Sequence, residues 1–314
     1  MKILITGGCG YVGSELIKYL LLKGHTITNI DTRWFGNTLK KHKKLLNLKL
    51  DIRDIEAIPM KGVDTIIHLA GIANDPSVEL DEKLSWEVNV LASRFLIEKA
   101  VKYNIKNFIY ASSGSVYGIK KEKQVTEELS LLPISAYNKT KMIAENVLLS
   151  YKNKINVFCV RPATVCGFSE RMRLDVSVNL LTSQAIKNKK IKVLGGKQIR
   201  PNIHIKDMIR VYDFFLNNKR IKSGCYNAGF ENISIIKLAQ LIKKKIKCDI
   251  EIYKSNDVRS YRQSSKKLIN LGFKRLYSVE NAIDDLIVKF NEKKIKNKLN
   301  CYNVKWMKKN KLNG

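Results

Sequence analysis

No stretch of about 20 apolar residues occurs in the 314-residue chain, which excludes a membrane-spanning helix. None of the six cysteines stands in a Cys-x-x-Cys pair, so no zinc ribbon or dithiol redox motif is on offer. Cys9, Cys159 and Cys225 fall instead in glycine-turn or strand-like settings where small residues pack. Reduced thiols in a cytoplasmic protein are the simpler account, and a first strand starting at residue 2 leaves no room for a signal peptide. His25, His42, His68 and His204 are scattered without ligand spacing, so no metal site is expected. Acidic residues are scarce, 28 against 58 basic for a net charge of +30. Such an imbalance can signal nucleic acid or anionic lipid, yet basic–aromatic interleaving, zinc-finger spacing and a helix-turn-helix pattern are all missing. Since 46 of the 58 basic residues are lysine, the excess reads as solvated helix faces. Neither nucleic-acid binding nor stable membrane association is expected, and no internal repeat is present.

What is there begins at once. Ile3, Leu4 and Ile5 form a short apolar run suited to a strand buried on both faces. Gly7, Gly10 and Gly13 follow at intervals of three, and an amphipathic segment runs from Val12 to Lys23. Strand, glycine turn and helix start are the context of a dinucleotide-binding fingerprint. Gly7 allows the tight turn, Gly10 lets the backbone approach a pyrophosphate, and Gly13 lets helix and strand pack closely. Asp31 closes a second apolar strand at the distance where a carboxylate accepts hydrogen bonds from an adenosine ribose. A carboxylate there repels a 2′-phosphate, which selects NAD, although Arg33 two residues on softens that preference.

Further strands are predicted at Leu45 to Leu50, Asp64 to His68, Asn107 to Ala111 and Val157 to Val160. Helices are predicted at Leu80 to Tyr103, carrying Asn89, and from Ala136 to Tyr151. This alternation implies an α/β fold, a Rossmann-type doubly wound parallel sheet whose ligands gather at the carboxyl ends of the strands. Beyond Gly167 the alternation gives way to a smaller mixed lobe. The expected division is a dinucleotide-binding domain over 1–167, a substrate lobe over 168–294 with a helix near 205–216 returning to the first domain, and a basic tail over 295–314.

Tyr137 and Lys141 lie four apart on a predicted helix and project from one face about 6 Å apart at Cβ. Bringing a tyrosine from about 10 to about 7 takes roughly 4 kcal/mol, and an ammonium about 4 Å away supplies that order at an effective dielectric of about 20. The pair is therefore able to make a phenolate base, next to a strand end carrying Ser112 and Ser113.

Together, Thr6-Gly-Gly-Cys-Gly-Tyr-Val-Gly13, His68-Leu-Ala-Gly71, Ala111-Ser-Ser-Gly-Ser-Val-Tyr-Gly118 and Tyr137-x-x-x-Lys141 resemble the extended short-chain dehydrogenase/reductases. The likeness is to nucleotide-sugar epimerases and dehydratases, and Arg161-Pro162 and Arg200-Pro-Asn-Ile-His-Ile-Lys-Asp207 extend it to about residue 290. The resemblance implies that Ser113 hydrogen-bonds the reacting hydroxyl, that Tyr137 removes its proton, and that Lys141 holds the nicotinamide ribose. It implies NAD contacts at Gly7, Gly10, Tyr11, Val12, Gly13, Asp31, Asp51, Ile52, Leu69, Ala70, Gly71, Asn89 and Pro162. It also implies substrate contacts at Ser113, Thr164, Asn179, Arg200, Asp257 and Arg259, and a homodimer built on the Leu80–Tyr103 and Tyr137 helices.

Where similar dehydratases carry an Asp-Glu pair after the serine or threonine, this chain has Gly114 and Ser115. Loss of water then has no evident acid, and the pattern resembles the 4-epimerases, which oxidise at C4 and return the hydride to the other face. The alternatives are a 4-dehydrogenase or ketoreductase, a 4,6-dehydratase with an unusual acid, and a non-catalytic NAD-binding regulator. Thr164 stands where many epimerases carry a substrate-binding asparagine. The tail, with eight lysines and no acid between Lys293 and Lys311, is expected to be a solvated, disordered end.

Overall fold

The computed structural model describes residues 1–255 and 260–311. Its strands are β1 (Lys2–Thr6), β2 (Thr26–Asp31), β3 (Leu45–Lys49), β4 (Thr65–His68), β5 (Asn107–Ala111), β6 (Asn156–Pro162), β7 (Thr164–Cys166), β8 (Lys190–Leu194), β9 (Ile199–His204), β10 (Gly224–Ala228), β11 (Glu231–Ser234) and β12 (Asp249–Tyr253). Its helices are α1 (Tyr11–Leu22), α2 (Asp75–Val78), α3 (Glu82–Trp86), α4 (Ala92–Lys102), α5 (Ala136–Leu149), α6 (Ser177–Asn188), α7 (Ile205–Asn217), α8 (Ile235–Lys245), α9 (Lys266–Asn270), α10 (Val279–Asn291) and α11 (Asn303–Asn310).

Seven strands make one parallel sheet in the order β10-β6-β5-β4-β1-β2-β3. Ile3, Leu4 and Ile5 are fully enclosed in its centre, because helices cover both faces as a parallel sheet requires. One face packs against α1 and α7 through Leu16, Leu20, Met208 and Tyr212. The other packs against α4 and α5 through Leu96, Ala100, Ala144 and Leu148. Strand order reverses between β1 and β4, so the crevice at their carboxyl ends is the natural ligand site. Gly7 turns the chain there at φ +75°, and a Cβ on it would lie 2.6 Å from the Ala70 nitrogen.

The second lobe carries the three-stranded β11-β9-β7 sheet and the β12-β8 pair, with α6, α8 and α10 packed around Val178, Ile191 and Leu238. The chain crosses back from it twice. Helix α7 lies on α1, where the Tyr19 hydroxyl donates to Asp213 at 3.0 Å, and β10 extends the large sheet beyond β6.

Two expectations need correction. The single helix expected over 80–103 is α3 and α4 joined by a π-helical turn at Glu87–Leu91. Such turns gather at functional sites, and this one carries Asn89, whose amide brackets the Ile72 main chain: Oδ1 accepts from the Ile72 nitrogen at 2.9 Å and Nδ2 donates to its carbonyl at 3.1 Å. The basic tail, over its described residues 295–311, is not a disordered end. Cys301 and Met307 are buried, Asn300 donates to the Phe35 carbonyl at 3.0 Å, and the Trp306 indole donates to the Trp34 carbonyl at 2.6 Å. The apolar anchors of α11 are few, but their partners lie more than 260 residues earlier, where no local pattern reveals them.

Helix α5 is fixed to β6 by a buried ion pair. Arg161 donates through Nε to Glu145 Oε1 at 2.9 Å and through Nη2 to Oε2 at 2.7 Å, and its Nη1 donates to the Tyr117 hydroxyl at 2.7 Å. Both ionic side chains are at most 5% exposed. Glu145→Ala leaves the guanidinium enclosed and uncompensated, so we expect a loss of about 3–5 kcal/mol in unfolding free energy. Urea denaturation measures it, and a loss under about 1 kcal/mol contradicts this account.

Candidate active site

The crevice is built from the glycine turn outward. Gly10 caps α1 in extended conformation with no side-chain hydrogen bond to the helix, and the first turn holds no acidic residue. A twelve-residue helix therefore presents its N-terminal amides without an internal anion, an arrangement that attracts phosphate. Gly13 sits so close to the turn that a Cβ would lie 2.6 Å from the Gly7 carbonyl oxygen. Asp31, at the end of β2, accepts from the Cys9 amide at 2.9 Å and the Arg33 amide at 2.6 Å. Burial raises its pKa, against the pull of those two amides and of Arg171 and Arg33. Further along the same edge, Asp51 is engaged by Arg53 at 3.0 Å and Ile52 is buried.

Two residues beyond the end of β5 stands Ser113, whose Oγ accepts from the Ser115 amide at 3.1 Å and lies 2.7 Å from the Ser115 hydroxyl. Tyr137 sits in the first turn of α5, half-buried. Burial raises its pKa; the Ser113 hydroxyl, Arg173 and the Asn74 main-chain amide oppose the rise, while Asp75 adds to it. Lys141, one turn on, donates to the Ala111 carbonyl at 2.9 Å and lies over the Tyr110 ring at 4.8 Å. Burial pushes its pKa down to about 8. Lys141 is thus anchored to the strand end, and beside burial the groups that act most on the phenol are Ser113, Asp75, Arg173 and Asn74.

The structure brings Ser113, Tyr137, Lys141 and Gly71 into one place: a Cβ on Gly71 would lie 2.8 Å from Asn89 Oδ1 and 3.4 Å from Lys141 Nζ. Leu69 and Ala70 run along the crevice, their amides donating to the Thr6 main chain and hydroxyl. Tyr11 and Asn179, by contrast, are turned into the interior. The Tyr11 hydroxyl donates to the Gly167 carbonyl at 2.6 Å and accepts from Asn179, whose Oδ1 takes the Gly167 amide at 3.0 Å. Val12 and Pro162 are half-exposed. Thr164 opens β7 opposite Asn202, and Arg200 lies half-buried on β9. Asp257 and Arg259 lie outside the described residues. His68 is enclosed between the Thr6 and Ser93 hydroxyls, and burial depresses its pKa to about 3, so it is neutral.

Sequence reasoning missed α2. Asn74 precedes it at φ +77°, ψ 154°, and caps it by accepting from the Ser77 amide at 2.9 Å. Asp75 accepts from the Ser135 hydroxyl, the cap of α5, two residues before Tyr137. Asn-Asp-Pro was a readable helix start, but nothing local placed it beside the phenol.

The model of the NAD dependent epimerase/dehydratase family matches residues 3–229. This chain belongs to that family. An uncharacterized UDP-glucose epimerase of Bacillus subtilis is 32% identical over 267 residues, spanning 77% of this chain and 81% of the relative. A CDP-paratose 2-epimerase of Salmonella typhi is 28% identical over 326 residues, 90% of this chain and 94% of that one. The crystal structure of a UDP-glucose 4-epimerase from Thermotoga maritima, solved with UDP-glucose, superposes with a TM-score of 0.84 at 23% identity, over 93% of this chain and 99% of that one. NAD is the family's cofactor, and the crevice fits it: an uncapped helix N-terminus stands beside the glycine turn, and a carboxylate closes β2.

The depressed pKa of Lys141 makes stability pH-dependent in the cofactor-free enzyme. Between pH about 8 and about 10.5 the unfolded chain keeps the lysine proton while the folded chain has released it, so unfolding free energy rises with pH. Relative to Lys141→Met, the parent should gain stability across that interval in urea melts. A flat difference contradicts it.

Proposed function

We propose that this enzyme is a nucleotide-sugar 4-epimerase. Tyr137 is the base that takes the proton from the C4 hydroxyl, Ser113 orients that hydroxyl, and Lys141 holds the nicotinamide ribose against the strand end. Gly7, Gly10, Tyr11, Val12 and Gly13 line the diphosphate position, Asp31 meets the adenosine ribose, and Asp51 and Ile52 meet the adenine. Leu69, Ala70, Gly71, Asn89 and Pro162 shape the wall on the nicotinamide side. When bound, NAD accepts a hydride from the sugar carbon and gives it back. The observation that carries the choice of reaction is the pair Gly114-Ser115. A Cβ at 114 would lie 3.1 Å from the Gln263 amide and 3.2 Å from the Pro162 carbonyl oxygen. Position 114 is thus packed tightly, Gly114 supplies no carboxylic acid of the kind that elimination of water needs, and neither does Ser115. The substrate lobe, with Thr164, Arg200, Asp257 and Arg259, is read as the nucleotide-diphosphate clamp, with Asn179 behind it bracing the Gly167 main chain, a reading supported by relatives named for UDP- and CDP-linked sugars.

Tyr137→Phe is expected to lower turnover by about 10²–10⁴, the usual worth of a general base, while NAD still binds. Product NMR on a panel of nucleotide sugars should show C4 inversion. Release of a stable 4-keto sugar replaces this reading with a dehydrogenase, and a 6-deoxy product replaces it with a dehydratase.

We also propose a cytoplasmic homodimer formed across α3 to α5. Trp86, Leu91 and Phe95 are 37%, 46% and 45% exposed on this helical run, more apolar surface than a solvated helix face needs. Light scattering at micromolar concentration should return twice the mass of the 36.0 kDa chain, and a monomer refutes it.

A further inference from the structure

Arg171 is 5% exposed, yet its Nε and Nη1 have no hydrogen-bond partner among the described residues. Nη2 donates to Asn303 of α11 at 2.7 Å, and the guanidinium stacks on Phe35 at 4.2 Å. Those contacts hold the plane of the fork in place and leave two donors unmade. An enclosed, half-satisfied cation is costly, and burial pushes its pKa down to about 10 even with Asp175 and Asp31 nearby.

The location says what the fork is for. The segment leading to Arg171 lies along the start of α1: Ser169 donates to the Tyr11 carbonyl at 2.8 Å, and the Glu170 amide donates to Glu15 at 3.0 Å. Arg171 itself acts on the Asp31 carboxylate, and Phe35 belongs to the segment that follows β2. The segment therefore runs from the first turn of α1 to a guanidinium that acts on the carboxylate closing β2, along the interval between the two. In this fold, that interval is occupied by the adenosine ribose and adjoining phosphate of a dinucleotide. A planar fork with free donors matches phosphate and ribose oxygens.

We propose that Arg171 is a cofactor-binding residue, supplied by the segment after β7 and held by Asn303, that donates to the ribose–phosphate of the adenosine half of NAD. The inference rests on NAD occupying the glycine-turn crevice. It makes α11 part of the cofactor site: Asn303 fixes the arginine, while Trp306 and Asn300 fix the Trp34–Phe35 backbone on which it stacks.

The test compares the full-length parent with Arg171→Met and Asn303→Ala, using NADH fluorescence and calorimetric titration with ADP-ribose and nicotinamide mononucleotide. Arg171→Met should weaken NADH and ADP-ribose tenfold or more and leave nicotinamide mononucleotide within twofold, since that fragment lacks the adenosine half. Asn303→Ala, which keeps the cation but frees it, should weaken NADH by a smaller factor. The melting temperature of the cofactor-free protein supplies a readout that a structural role would move the other way. Removing an under-satisfied buried cation should leave it unchanged or raised, whereas loss of a structural ion pair lowers it. Parent-like NADH affinity in Arg171→Met, or a melting point several degrees lower with affinity retained by the folded fraction, overturns the proposal. Should Arg171→Met not fold, Arg171→Lys decides: NADH affinity equal to the parent overturns the proposal, and a tenfold loss upholds it. A parent that fails to bind NADH sinks the cofactor reading itself, a result distinct from a parent that binds and a variant that binds equally.

Discussion

The bidentate pair between Glu145 and Arg161 is the constraint on which the reacting geometry hangs. Glu145 lies one helical turn beyond Lys141 and two beyond Tyr137 on α5, so the carboxylate, ammonium and phenol stand on one stripe of the helix. Arg161 belongs to β6, the neighbour of β5, whose end carries Ser113. Locking the carboxylate to the strand fixes the rotation and the height of the whole helix against the sheet. The lock is itself held from the far side. Tyr117 takes the third arginine nitrogen and donates to Asn227 at 2.9 Å; Gln263 reaches both Asn227 and the Arg161 carbonyl. Residues from α5, β6, β10 and the stretch before α9 thereby share one buried polar network. A pair so enclosed adds little net stability over an apolar substitute, but it penalises any misplacement heavily. That asymmetry suits a site whose function depends on where three side chains point.

The local half of this architecture was legible from residues alone. Ile3-Leu4-Ile5 with its glycine triplet, Asp31 at the next strand end, and Asn107–Ala111 leading to paired serines each carry their meaning within ten or so residues. Tyr137 and Lys141 were readable because i,i+4 spacing is a local property of helices. What escaped depends on distance. Asn89 was singled out, but the π-helical turn that carries it was not, since such a turn leaves little trace in the hydrophobic period. Asn179 carried an expected role in substrate binding, yet its amide is enclosed between Tyr11, Gly167 and Arg173. Gly114 was noticed for the acid it lacks, but its tight packing against Gln263 and Pro162 shows only in the fold. The tail misled most, because lysine density outweighed four or five apolar residues whose partners are remote in sequence.

The electrostatics follow the same division. A count of +30 says nothing of where charge matters. Most of the lysines are solvated, and exposed pairs of the kind Lys289 makes with Glu292 are worth little. The cations that shape the crevice, Lys141, Arg161 and Arg171, are all buried, and each is held differently: by a main-chain carbonyl, by a carboxylate, and by an amide with a ring. Burial discriminates among them in a way that composition does not.

The placement of α11 carries a consequence for the order in which the molecule is completed. Trp306 and Trp34 are 272 residues apart in sequence. At roughly 5–20 residues per second of ribosomal synthesis, the segment after β2 waits on the order of 14–54 s for its last neighbour. Over that interval β3, β4, β5, β6 and finally β10 join the sheet, while the segment after β2 still lacks the contacts of α11. Only when the helix docks does Asn303 meet Arg171 and Trp306 meet the Trp34 carbonyl, so this corner of the protein is fixed last.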